Sequence, residues 1–180
     1  MKLKMSNGSI INLIFLITFV LFQACNSASI EQNKSISDST GEMLIKANKY
    51  LIDRDQSLIK AYITRHGYKM KQTESGLFYQ VLKEGHGQPV KPGNSVKVKY
   101  KLELPDGTLC YDSDSLGTKK FSVGSGTVEA GLDEGIQMLK QGDVACLILM
   151  PHLGYGLAGD NKRIPPRSIL IYMIEVLAVK

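Results

Sequence analysis

Three histidines, three cysteines, six prolines and no tryptophan are all that this 180-residue chain holds of the residue types that most often announce chemistry. His66, His86 and His152 stand far apart, and none has partners at the spacing of a metal cluster or a nucleophilic triad. No metal and no cofactor is expected from them, and the three are read as structural or solvent-exposed. A CxxC pair is absent, which excludes dithiol redox chemistry. The basic excess is small: the formal charge is +5, and two of those charges are Lys2 and Lys4 in a leader-like segment. The remaining lysines are scattered instead of forming a patch or stripe, so no nucleic-acid partner is expected. Apolar residues make up 43% and charged residues 22%, an ordinary balance for one globular domain with a small extension.

The first forty residues are organised differently from the rest. Lys2 and Lys4 precede an apolar run, Ile10–Phe22, broken only by Asn12 and Thr18. It is short for a membrane span and has the layout of a secretory signal. Phe22-Gln23-Ala24-Cys25 resembles a bacterial lipobox, with phenylalanine where leucine is usual. That resemblance implies a leader over 1–24, lipid on Cys25, and a bacterial membrane-anchored protein whose domain lies in an extracytoplasmic, periplasmic space. A plain signal peptide with a free or buried cysteine is the alternative. Residues 25–41 are polar and serine-rich, too poor in apolar surface to fold, and read as a flexible tether.

Residues 42–67 read as a helical arm. Ser39 and Glu42 have capping-box spacing, Leu44, Ala47, Leu51, Leu58 and Tyr62 recur near the helical period, and Gly67 is a stop. Asp53-Arg54-Asp55 is expected to divide it into two shorter helices. The apolar stripe lacks sustained heptads, so the arm is expected to pack on the domain or space it from the membrane.

From residue 70 to residue 180 the period changes. Thr73–Lys83 is rich in strand formers, and Ser95–Leu104 alternates, with Val96, Val98, Tyr100, Leu102 and Leu104 on one face and Lys97, Lys99 and Lys101 on the other. Pro105-Asp106-Gly107 is a turn. Leu109–Asp112 and Phe121–Gly124 are short strands, and Ala130–Lys140 is a short helix with Leu132, Ile136 and Leu139 on one face. The apolar runs Ala145–Met150 and Ser168–Val179 are buried strands. Between them lies a loop with Tyr155 set between Gly154 and Gly156, closed by Ile164-Pro165-Pro166. Several strands and one short helix give an α+β fold with an antiparallel sheet.

The ordered series Val98-Lys99-Tyr100, Asp106-Gly107, Tyr111-Asp112-Ser113, Gly131-Leu132-Asp133-Glu134-Gly135, Met138-Leu139, Gly142-Asp143, Pro151, Tyr155-Gly156, Ile164-Pro165-Pro166 and Glu175-Val176 resembles the FKBP family from about Gly76 to Lys180. The resemblance implies a half-wrapped sheet of five to six strands around one short helix, and peptidyl-prolyl cis–trans isomerase activity on proline-containing polypeptides. Met70–Thr73, the lipobox and the helical arm are also similar to lipidated isomerases linked to gliding motility in Bacteroidetes-type bacteria. Carried over position by position, Tyr100, Tyr111, Val128, Leu132, Ile164 and Tyr172 would form apolar walls. Tyr155 would offer its hydroxyl to a substrate carbonyl, Asp112 would line the pocket, and the Glu129 N–H would bind a second carbonyl. For Asp112 the competing reading is a turn-capping carboxylate, and for Tyr100 and Tyr172 it is core packing.

The reaction needs no nucleophile. Rotation about X–Pro must cross a barrier of about 18–20 kcal/mol as the amide loses resonance, and a dry apolar cradle that grips the twisted amide lowers it. Departures from the family pattern thin the cage: Leu132 replaces a tryptophan floor, Glu129 and Arg163 replace apolar residues, Tyr111 and Tyr172 replace phenylalanines, and Lys119 stands where an aromatic often encloses the ligand. The resemblance therefore implies weak binding of macrolide-type inhibitors and modest activity. The alternative is a peptide-binding or chaperone module on the membrane surface with little or no turnover. The short Gly156–Arg163 connection leaves no room for a chaperone insert. Cys110 and Cys146 remain once Cys25 is spent, and a disulfide would require their Cα atoms within about 7 Å.

Overall fold

The computed structural model describes residues 41–180. The proposed leader, Cys25, Ser39 and nearly all of the tether lie outside the described residues. The chain divides into two compact units, Met1–Leu51 and Ile52–Lys180. The described part of the first is helical throughout, 41–51, and belongs to helix α1 (41–66), which ends in the second.

Seven strands form one antiparallel sheet: β1 (Lys71–Gln72), β2 (Phe78–Lys83), β3 (Ser95–Glu103), β4 (Leu109–Asp112), β5 (Lys119–Ser122), β6 (Val144–Leu149) and β7 (Leu170–Val179). Their spatial order is β1-β2-β6-β7-β3-β4, and β5 pairs with the β3 edge as well. The expected five to six strands become seven. A two-residue strand, β1, precedes the first expected one. The two short strands expected at Leu109–Asp112 and Phe121–Gly124 both meet the β3 edge, β4 opposite Lys101–Glu103 and β5 opposite Ser95–Val98, with a helical segment, α2 (Ser113–Leu116), between them. Asp112 caps α2, accepting the Ser115 N–H at 2.6 Å.

Alternation sorts the side chains to two faces. Along β6 and the residue after it, Ala145, Leu147 and Leu149 join one core cluster, whereas Cys146, Ile148 and Met150 join the other. The first face is covered by α3 (Ala130–Ile136), which brings Leu132 and Ile136 onto the sheet. α3 can lie this close because its contact points are glycines: a Cβ on Gly131 would stand 2.6 Å from Leu149 Cγ, and one on Gly135 2.6 Å from Leu147 Cδ1. The expected helix to Lys140 is shorter, since turn hydrogen bonds from Gln137, Met138 and Leu139 replace the helical ladder.

The second face is covered by the C-terminal part of α1 through Ile59 and Tyr62. Asp53–Asp55 does not divide this helix. Asp55 turns inward, is 2% exposed, and pairs with Arg54 at 3.1 Å and with Arg167 at 2.8 Å. The buried stripe is thus Asp55, Ile59 and Tyr62, and Leu58 is left exposed. Cys110 and Cys146 are buried free thiols in the two separate clusters. Burial pushes the Cys146 thiol up to about 12, so it is neutral at physiological pH.

Candidate functional site

The register of three neighbouring strands builds the centre of the site. Tyr172 on β7 lies opposite Leu102 on β3 and Leu147 on β6, and Tyr100 opposite Ile174. The Tyr100 and Tyr172 rings stand 6.3 Å apart, tilted by 47°. Leu132 from α3, Ile164 from the closing loop and Tyr172 are buried in the α3-side cluster. Tyr100, Tyr111, Val128 and Tyr155 pack against it from less buried positions. All seven residues expected as walls or as the loop tyrosine therefore meet in one apolar cluster. Tyr172 is core, while Tyr100 is half-buried at the edge of the cluster.

The loop carrying Val128 and Glu129 is tied to α3, because both carboxylate oxygens of Asp133 accept the Gly124 N–H, at 2.9 and 3.0 Å. Glu129 then turns its side chain inward, where it is only 7% exposed. Oε1 accepts the Tyr155 hydroxyl, and Oε2 lies 3.4 Å from Lys119 Nζ. Burial alone would push the Glu129 carboxyl up. The Lys119 ammonium and the Tyr155 hydroxyl outweigh it and hold the group below the usual carboxylate range. In return, burial and the nearby Glu129 charge push the phenols of Tyr155 and Tyr172 up, so both are neutral donors. The Tyr100 phenol is raised by burial, then by Glu129 and Asp112.

At the rim, Tyr111 donates its hydroxyl to Asp160 Oδ2. Asp160 Oδ1 accepts the backbone N–H groups of Lys162, Arg163 and Ile164 at 2.9, 3.0 and 2.8 Å. These donors overcome burial and lower its carboxyl to about 2. Arg163 lies over the Tyr111 ring at 5.5 Å and donates to the Cys110 carbonyl at 3.0 Å. Lys119 lies 5.9 Å from the Tyr100 ring centroid, a cation at the edge of the aromatic group.

Two positions, Glu129 and Asp160, go beyond the sequence reading, and a third, Asp112, takes its competing one. The Tyr155 proton is directed at Glu129, a side chain assigned only a backbone role. The Asp112 carboxylate caps α2. Asp160 was not singled out, although Gly159-Asp160-Asn161 is turn chemistry in which an Asp side chain commonly accepts from the backbone just ahead. His66 and His152 stand outside this cluster, their rings hydrogen-bonded to the Tyr62 and Ser75 carbonyls at 2.9 and 3.0 Å. Among the described residues no group of three or more His, Cys, Asp or Glu could hold a metal, and no helix is long and apolar enough to cross a membrane.

The profile of the FKBP-type peptidyl-prolyl cis–trans isomerases matches residues 86–177, slightly more than half of the chain. The chain belongs to this family. Its FKBP domain is 37% identical over 113 residues to a probable FKBP-type peptidyl-prolyl cis–trans isomerase of Haemophilus influenzae, covering 63% of this chain and 46% of that protein. It is 33% identical over 106 residues to FK506-binding protein 1 of Dictyostelium discoideum, covering 58% of this chain and 99% of that one. The crystal structure of FkpA from Escherichia coli superimposes with a TM-score of 0.62 and 28% identity, over 99% of this chain and 84% of that one. The FKBP fold accounts for the antiparallel sheet, for α3 and for the Tyr155 loop closed by Ile164. The chain spans about half the length of the Haemophilus relative.

Proposed function

We propose that this protein accelerates rotation about X–Pro bonds in exported polypeptides, from a membrane surface to which lipid on Cys25 anchors it. The observation that carries this reading is the single apolar cluster that joins Tyr100, Tyr111, Val128, Leu132, Tyr155, Ile164 and Tyr172 in a chain of the FKBP family. A prolyl ring seated against Tyr100, Leu132 and Tyr172 would be stripped of water, and the amide beside it would be free to twist in surroundings that offer the planar form no compensating solvation. The Glu129 N–H and the Asp112 carboxylate are the polar groups proposed to meet the peptide backbone. Export is proposed from the leader-like Lys2–Phe22 segment and the lipobox-like Phe22–Cys25. The resemblance of Met70–Thr73, the lipobox-like segment and the helical arm to lipidated isomerases of gliding bacteria supports the anchored form. Uncatalysed X–Pro isomerisation takes tens to hundreds of seconds and can limit folding, which gives such an enzyme a use outside the cytoplasm.

The test is the slow, proline-limited refolding phase of a small protein with a native cis proline, followed at increasing amounts of a soluble form that begins after Cys25. The rate of that phase is expected to rise in proportion to the isomerase and to return towards the uncatalysed value with Asp112→Ala. Refolding unchanged at any concentration of folded protein would move the reading to a peptide-binding module without turnover.

A further inference from the structure

We propose that Lys119, and not the Tyr155 hydroxyl, donates the hydrogen bond to the X–Pro carbonyl of the substrate, beside the Glu129 N–H on a second carbonyl, with the Glu129 side chain acting as the positioning group that holds Lys119 and engages the Tyr155 hydroxyl. This rests on the isomerase reading above and assigns its polar contact.

A phenol carries one proton. That of Tyr155 is directed at Glu129 Oε1, on a side chain only 7% exposed. Turning it to a neutral carbonyl would exchange a charge-assisted bond for one about half as strong. It would also leave a buried carboxylate short of a donor. The Tyr155 oxygen still has lone pairs, so towards a substrate it is suited to accept, not to donate. Lys119 has the opposite inventory. Its ammonium carries three protons, lies 3.4 Å from Glu129 Oε2 and 5.9 Å from the Tyr100 centroid, and its side chain is 31% exposed. One face of the ammonium is held by the carboxylate while the remaining N–H groups stand at the edge of the aromatic cluster, open to an incoming peptide. Glu129 keeps this cation in place, since an unpaired ammonium would extend into water.

The chemistry predicts which kinetic constant responds. As an X–Pro amide twists, resonance is lost and its oxygen becomes less negative. A donor on that oxygen therefore does not favour the transition state over the planar ground state. It holds the planar form at least as firmly as the twisted one, so it lowers KM and does nothing to raise kcat.

The experiment uses the full chain in detergent, with turnover of an X–Pro peptide and the Kd of the same peptide measured in parallel, and thermal melts to confirm folding. Lys119→Met is expected to raise KM and Kd roughly tenfold, as loss of one charge-assisted hydrogen bond implies, with a much smaller change in kcat. Lys119→Arg is expected to restore most of the affinity. If Lys119→Met does not fold, Lys119→Gln, which keeps a neutral donor towards Glu129, takes its place with the same expected direction. Tyr155→Phe is expected to cost roughly tenfold more in a Glu129→Leu background, where the hydroxyl is released, than in the parent. An unchanged KM and Kd in the Lys119 variants, or a Tyr155→Phe cost equal in both backgrounds, overturns the proposal. A parent that binds peptide without turning it over would sink the isomerase reading alone, and the Kd pattern would still decide the role of Lys119. A parent that neither binds nor turns over overturns both.

Discussion

Asp160 does the most for the rim of the site with the fewest atoms. One carboxylate oxygen gathers three consecutive backbone N–H groups and the other takes the Tyr111 hydroxyl. The loop that delivers Ile164 is thereby tied to β4. Its carboxyl is lowered to about 2 against about 3.9 in an unfolded chain. A depressed folded pKa means that the stabilisation is fully present above the unfolded value and is lost as pH falls through the folded one. The urea midpoint is therefore expected to decline between about pH 4 and about pH 2, and Asp160→Asn is expected to flatten that part of the profile. An unaltered profile would show that the carboxylate charge does not hold the loop. Most of the apolar cluster was legible residue by residue, because Tyr100, Tyr111, Leu132, Tyr155 and Ile164 sit in ordered motifs with characteristic spacing. Asp160 and the inward turn of Glu129 were not. Their partners lie 49 and 26 residues away, and no local pattern announces a hydrogen bond of that span.

At the scale of elements, α1 is the informative case. Its existence was readable from the helical period, but its buried stripe was not. Asp53–Asp55 was expected to break the helix, whereas Asp55 is buried within it because Arg167 meets it from the end of the Tyr155 loop. Arg167 has φ of 56° and gives its backbone N–H to the Gly156 carbonyl at 2.9 Å. The pair thus links the sheet-packed part of α1 to the backbone beside Tyr155. Asp55→Ala would leave a cation without its partner. Because Arg167 is partly exposed, the loss is expected to fall somewhat below the about 3–5 kcal/mol of a fully buried pair, read from urea denaturation. Asp55→Leu with Arg167→Met is expected to recover most of it, since apolar replacement of both partners removes the desolvation cost together with the attraction. A double variant no more stable than Asp55→Ala would contradict this account. The edge of the sheet shows the same limit on reading elements from sequence. The alternation of β3 and the division of β4 from β5 were plain, but α2 between them depends on Asp112 capping it, and a single Asp-Ser-Asp-Ser run does not distinguish a cap from a lining carboxylate.

For the molecule as a whole, one sheet serves two purposes because its strands alternate. The side chains of one face build a cluster under α3 and the Tyr155 loop, and those of the other take the packing of α1. The central pairing of β7 between β3 and β6 sets Tyr172 in the middle of the first face, so the proposed proline seat rests on a central strand of the sheet. The central claim is that this face binds and twists X–Pro bonds. The most direct measurement is cis–trans exchange of one X–Pro peptide, followed by NMR exchange spectroscopy, for the parent and for Tyr100→Ala. Tyr100 is half-buried, so the variant is expected to keep its fold, which a thermal melt checks. The account predicts exchange that rises linearly with the amount of parent protein and falls at least tenfold with Tyr100→Ala. Exchange at the uncatalysed rate with the parent, or equal acceleration by a folded Tyr100→Ala, would contradict it.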